Sequence, residues 1–579
     1  MGTSYRRSVA VLPVFVVLAF VVAAGAGRQR STARTAADLV IIGPVYTLAW
    51  NDPAADGTPA ATAPRDSAGR WHPDAGAVAV SGGRIAFAGP AEEAAPLTGP
   101  RTRTIRLTGN AVVVPGMVDA HVHAFELGAS LERVNLVGAT TEQEAVERVA
   151  ERARGTPRAA WIVGWGWDEG AWANRYPDMR LLSERVPNHP VYLRGLHSYA
   201  VWGNRLAFER AGITAATPSP AGGEIRKDAA GQPTGILLNA ASALLERAVP
   251  APTTDRLKTR LRAALRTLAA SGYVTVHEAG ADSREMDALR QLDAAGELPI
   301  RVYAMLAARD EALLGRWLAR GPDRTNERML VTRSVKAFYD GALGSRGAWL
   351  LEDYSDRPGH RGERDRSFHP DRLTAMMKAG FQLSVHAIGD AANREVMDFI
   401  RAAAPPAPGR HRIEHAQVMA PADIPRMAAL GVIASMQPPH AVEDMPWAEA
   451  RVAERIKGAY AWRSIRRAGV PLVFSSDLPG SGYDLFYGLN SAVTRRDREG
   501  RPAGGWYPEQ VVTIDEALRG YSRWAAYAAF REQQTGIIAP DRWADLTVLS
   551  LDPFTAPPDA LLRGTIVMTI VNGKVVYER

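Results

Sequence analysis

Cysteine is absent from all 579 residues. That excludes disulfide frameworks, cysteine-ligated zinc or iron–sulfur sites and thiol nucleophiles, so any metal must be held by histidine, carboxylate or a modified side chain. Lysine is scarce, six residues against 63 arginines, and a lysine inside an apolar strand therefore stands out. Internal repeats are missing, and so is any concentrated basic and aromatic stretch of the kind a nucleic-acid groove needs. The net charge of +7 does not restore that reading, because Arg6, Arg7, Arg28, Arg30 and Arg34 all precede the first acidic residue, Asp38. What is present is ordinary globular composition, 46% hydrophobic and 23% charged. It suffices for three or four small domains or one large enzyme barrel with an accessory domain.

The N-terminal segment, residues 1–36, reads as a signal peptide or signal anchor. Arg6 and Arg7 precede an apolar run over residues 9–27 that ends in small residues, Ala23, Ala24, Gly25 and Ala26, an outline shared by cleaved signals and short membrane spans. The paired arginines suggest a twin-arginine route. The expected location is exported, or anchored to the membrane by this segment alone.

Residues 38–49, 77–89 and 103–115 read as short strands with glycine-rich turns, and so do 544–551 and 565–577, the last broken by Asn572-Gly573, a two-residue hairpin signal. Two β-rich ends predict one small sheet domain assembled from both termini, residues 37–115 plus 540–579, enclosing a long middle that folds separately. In that middle, strand-like runs at 112–123, 273–280, 300–306, 334–341, 382–390, 411–418, 431–438 and 471–477 alternate with amphipathic helical patterns. Eight strands separated by helices predict an α/β fold, a (β/α)₈ TIM barrel over residues 116–539, with its active site at the C-terminal strand ends. Residues 124–255 break the spacing and read as a subdomain inserted after the first barrel strand.

Polar residues collect at those strand ends. The two-residue period of a strand points His121 and His123 to one face, where one ion can take both. Lys336, His386, His415 and Asp477 lie at or near the ends of the fourth, fifth, sixth and eighth strands. Six such groups converging on one rim are hard to explain as packing.

This ordered set resembles the amidohydrolase superfamily. GWGWDEG (164–170), VKAFYDGALGSR (335–346), VHAIGD (385–390), RIEHAQ (412–417), SMQPPH (435–440) and SSDLPG (475–480) look like its amidohydrolase-3 branch, which includes N-substituted formamide deformylases. The resemblance covers residues 38–579 and implies a TIM barrel with a β-sandwich built from both chain ends, here residues 37–115 plus 540–579. One departure is Asp541-Arg542, where such proteins commonly have Gly-Lys.

The resemblance implies two divalent metal ions, zinc being expected, with His121, His123 and Asp477 holding one and His386 and His415 the other. A buried Lys336 would lose its proton readily and take up carbon dioxide as a carbamate that bridges both ions; the other reading is a lysine paired with Asp340. A hydroxide between the metals would attack a non-peptide C–N bond of an amide, formamide or urea-like small molecule, with Asp477 passing the proton to the leaving nitrogen. The same centre could serve lactone, ester or phosphoester hydrolysis or aromatic deamination. A catalytically silent binding barrel should have lost ligands, and none of the six is missing. Trp165, Trp167, His197, Arg346 and His440 are the candidate substrate contacts, with His277 beside them. Expected partners are a small-molecule substrate, no nucleic acid, and a second copy in a possible homo-oligomer.

Overall fold

Gly116 divides what reads as one strand over residues 112–123. A Cβ there would collide with the Val274 side chain and crowd the Asp545 backbone. Only glycine lets Val112–Pro115 join one sheet and Met117–Val122, here β1, join another. The computed structural model describes residues 36–579 apart from 169, 171, 173–175, 197–198 and 404–408. The reading of residues 1–36 as a signal or anchor falls, but for Ala36, outside the described residues. Among the described residues no helix is long and apolar enough to cross a membrane.

β1 is followed by β2 (Tyr273–Ala281), β3 (Arg301–Ala307), β4 (Leu330–Phe338), β5 (Gln382–Ala387), β6 (Arg412–His415), β7 (Ile433–Met436) and β8 (Leu472–Phe474). All eight pair in parallel in chain order. β1 and β8 end this path and are joined just beyond β8, where Asp477 N–H donates to His121 O (3.0 Å) and His123 N–H to Leu478 O (3.1 Å). The result is a TIM-barrel-like α/β fold. Along β2, β4 and β5, Val274, Val276, Val335, Ala337, Leu383 and Val385 pack on the surrounding helices. Alternate residues carry the polar set Thr275, His277, Ser334, Lys336, Ser384 and His386, as a two-residue period requires. The barrel interior is consequently polar: the Ser334 and Ser384 hydroxyls lie 2.9 Å apart, and Tyr303 Oη donates to Gln382 Oε1 at 3.0 Å.

Both chain ends contribute to a second, eight-stranded sheet. Its order runs Lys574–Glu578, Ile566–Val571, Leu546–Leu549, Val112–Pro115, Leu39–Val45, Ala75–Ser81 and Arg84–Gly89, with Arg103–Arg106 also paired to Leu39–Val45. Residues 77–89 are two antiparallel strands rather than one, because Gly82 and Gly83 both take positive φ and reverse the chain. A helical turn at Ala91–Ala94 lies where only strands were expected. Asn572 and Gly573, at φ 51° and 71°, close the C-terminal hairpin. Asp541 occupies φ 67°, a left-handed conformation that glycine takes freely and a short polar side chain tolerates.

The break after β1 begins later than residue 124. Helix Ala124–Glu132 belongs to the barrel: Ala124, Phe125 and Leu127 sit in the main core, and Gly128 allows contact with Arg260 on helix Thr254–Ala270. Beyond it lies a six-stranded sheet, Gly223–Lys227, Pro233–Asn239, Ala200–Gly203, Val191–Gly195, Ile162–Trp167 and Val134–Asn135 in order, with its own apolar cores.

Candidate metal centre

Asp477 is the hub of the strand-end cluster. It follows β8 at φ 59°, a conformation L-residues adopt at a cost of about 1–3 kcal/mol and one that recurs at functional sites. Its Oδ1 lies 3.4 Å from His121 Nε2 and 3.3 Å from His123 Nε2, while Oδ2 lies 3.7 Å from His440 Nε2 and 4.0 Å from His415 Nδ1. Two donor groups thus share one carboxylate, His121/His123/Asp477 and His415/His440/Asp477, each with its atoms within 4.8 Å of one another.

The histidines are oriented from outside. Glu414 Oε2 lies 2.6 Å from His121 Nδ1, which fixes the proton on Nδ1 and turns the Nε2 lone pair toward the centre. Gln437 Oε1, whose amide donates to Ser475, lies 2.9 Å from His415 Nδ1 and holds the proton there. His386 is packed against His415, ring centres 4.5 Å apart, and its buried Nε2 has no hydrogen-bond partner, the nearest carboxylate being Asp340 at 3.6 Å. Lys336 is buried and its Nζ lies 3.0 Å from His121 Nε2. It does not pair with Asp340, whose oxygens instead accept from the backbone N–H groups of Ile388, Gly389 and Trp349. Burial pulls the Lys336 amine down to about 8 and raises the Asp340 carboxyl to about 7. The Asp477 carboxyl is pushed up by burial, but the facing histidines outweigh this and hold it well below the usual range. Neutral imidazoles with anchored outer nitrogens, an orphan buried nitrogen and a shared carboxylate fit divalent cations of the zinc type.

Burial lowers His121 to about 4 and His386 to about 3, with the Lys336 charge adding to both shifts. Unfolded imidazoles titrate near 6.5, so between pH 6.5 and 4 the unfolded chain binds more protons than the metal-free native protein. Its stability should be complete above pH 6.5 and fall as the pH drops toward 4, by about 1.4 kcal/mol per pH unit for each such histidine. Denaturant midpoints of metal-free protein between pH 7.5 and 5 measure this; a flat profile would contradict it.

All six predicted ligands meet at this rim. His440, expected as a substrate contact, stands within the cluster, stacked on His415 with ring centres 6.0 Å apart. The other expected contacts fare differently. Trp167 is fully buried in the inserted subdomain with its Nε1–H donating to Leu193 O; it is a core residue, because a bulge between Trp165 and Trp167 breaks the strand alternation and turns it inward. Trp165 is 39% exposed and does not line the cavity beside the centre. Arg346 forms a two-bond ion pair with Asp356 and is thereby committed within its own loop. His277 lies inside the barrel, its Nδ1 accepting from Arg412. His197 lies outside the described residues.

Sequence reasoning missed Arg412 and Glu414. Both are fully buried and ion-paired, and Arg412 also donates to Ala120 O and Ser435 Oγ, linking β6 to β1 and β7. The burial of Glu414 raises its carboxyl, yet Arg412, His121 and Lys336 together hold it well below the usual range. The signal was available: residues 412 and 414 share one strand face beside the apolar Ile413.

Comparison with known proteins agrees with this geometry. The sequence pattern of the amidohydrolase family matches residues 105–577. The chain is 33% identical over 493 residues to a Bacillus subtilis protein named as an amidohydrolase, YtcJ, covering 83% of this chain and 91% of that one. It is 30% identical over 523 residues to an N-substituted formamide deformylase of Arthrobacter pascens, covering 87% and 95%. A crystal structure of an uncharacterized metal-dependent hydrolase from Pyrococcus furiosus superposes with a TM-score of 0.72 at 27% identity, covering 89% of this chain and 100% of that one.

Proposed function

The chain belongs to the amidohydrolase family, and from that premise we propose that it is a metal-dependent hydrolase cleaving a C–N bond of an N-substituted amide, formamide or urea-like small molecule. One observation carries this: the Asp477 carboxylate stands between two histidine pairs, with a buried lysine beside them. His121, His123 and Asp477 would hold one ion, and His415 with His386 or His440 a second. Zinc is the ion this donor set suits best. Bound divalent ions supply Lewis-acid polarisation of a carbonyl and make a water acidic near neutral pH.

The chain's own residues do the rest. Neutral Lys336 Nζ adds to carbon dioxide, forming an N–C bond and releasing one proton, which leaves an anionic carbamate in place of a repelled ammonium. Asp477 takes a proton from the attacking water on a carboxylate oxygen and returns it to the leaving nitrogen. Glu414 keeps the His121 proton on Nδ1 throughout. The proposal extends to organisation: residues 37–115 with 540–579 as a composite β-sandwich domain, 116–539 as the catalytic barrel with its insertion, and 1–36 as an export signal or anchor.

Protein loaded with zinc or manganese should retain up to two ions per chain and turn over members of an N-acyl amine, formamide and urea panel. Hydrolysis confined to lactones or phosphoesters, or failure to retain any metal, would overturn the proposal.

A further inference from the structure

A cavity opens beside the metal centre, with His123 and Lys336 on one wall. Its other wall is acidic. Glu278 comes from the end of β2, Glu126 from the first turn of helix Ala124–Glu132, and Glu285 from the first turn of helix Ser283–Ala294. Glu278 is only 4% exposed. Its Oε2 accepts from Ala124 N–H at 2.8 Å, which caps a helix, but among the described residues no donor reaches Oε1 and no cation lies within the 4.0 Å of an ion pair. Glu285 similarly uses one oxygen on the backbone N–H of Asp282, and Glu126 has no partner of either kind among the described residues. Arg309 also lines the cavity; its charge acts on Glu285, though it comes within 4.0 Å of none of the three carboxylates.

Capping accounts for one oxygen of Glu278 and one of Glu285 and leaves the convergence unexplained. A buried carboxyl without a cation is driven toward its neutral form, and a cationic ligand beside it restores the charge. Burial together with Glu285 and Glu126 does push the Glu278 carboxyl well above its usual range, the mark of a site short of positive charge. Phe125 and Phe338 also line the cavity, apolar surfaces suited to a short carbon linker and to cation–π contact.

Resting on the amide-hydrolase reading above, we propose that the substrate is an N-acylated or N-formylated diamine: the acylated nitrogen sits at the metal centre while its second, protonated nitrogen is bound by Glu278, supported by Glu126 and Glu285.

The test uses zinc-loaded protein and N-formyl and N-acetyl alkylamines of two to five methylenes that end in ammonium, methyl or carboxylate. The ammonium members should exceed the methyl members in kcat/KM by about 10- to 100-fold, the usual value of one charge-assisted contact. Glu278→Gln should bring that ratio to within a few-fold of one. Should that variant not fold, Glu126→Gln, at an exposed position, should reduce the ratio by several-fold. Equal or better turnover of methyl or carboxylate members by the wild type would overturn this proposal while leaving the amide-hydrolase reading intact. Hydrolysis of none of the three sets, with metal bound, would overturn that reading instead. Loss of bound metal from Glu278→Gln would make the acidic wall a ligand shell and refute the ammonium site.

Discussion

Asp477→Asn should lower turnover by about 10² to 10⁴, the usual range for removing a general acid–base group, while bound metal falls only modestly. The substitution preserves size and one coordinating oxygen, so an oxygen still stands 3.4 and 3.3 Å from the Nε2 atoms of His121 and His123 to complete the donor set. What is lost is the ability to take a proton. The loss should therefore fall on kcat, with KM little changed, because the substrate is held by the cavity walls rather than by Asp477. The acid limb of kcat/KM against pH should disappear with it. That limb belongs to Asp477 and the activated water together, since two interacting sites titrate as an ensemble. A fully metallated variant with near wild-type turnover would place the proton transfer elsewhere, with His440, 3.7 Å from Asp477 Oδ2, as the next group in reach.

Glu414→Ala should be the most destabilising single change at the site. The Arg412 guanidinium and the Glu414 carboxylate are both wholly buried, and removing one member of such a pair strands the other, at about 3–5 kcal/mol. His121 loses its Nδ1 anchor in the same step, so metal affinity should drop by about 10- to 100-fold. Glu414→Gln separates the two effects. An amide oxygen can still accept from His121 Nδ1–H and should recover much of the metal affinity, while the missing charge still leaves Arg412 without its anion. Urea unfolding of metal-free protein and zinc competition with a chelator measure the two quantities independently. An unchanged unfolding free energy in Glu414→Ala would show that Ala120 O, Ser435 and His277 satisfy Arg412 by themselves.

The strand ends were legible because the signal is local. His121 and His123 sit two residues apart on a strand, and each further ligand closes a short apolar run. The same rule reads Arg412 and Glu414 as a same-face pair beside Ile413, yet a charged pair in mid-strand carries no mark of what it will meet. His440 was harder: it lies on helix Pro438–Asp444, not on a strand, so no periodicity aims it at Asp477. Trp167 and Trp165, two residues apart in one strand, share a composition and a motif but differ in burial, because a strand bulge at that point breaks the alternation between them.

By itself the sequence determined the order of strands, the two-residue alternation that gives each a polar face, the glycine turn at residue 573 and the chemistry of the ligand types. These follow from backbone geometry and side-chain character over a few residues. Tertiary structure alone decided that Asp477 would stand between two histidine pairs, that Glu414 would hold His121 across 293 positions, and that Glu126, Glu278 and Glu285 would face one cavity with His123. Those meetings depend on closing a parallel sheet into a barrel. Closure brings strand ends within a few ångströms of one another whatever their separation along the chain, and so sets charge against charge in a way no local pattern encodes.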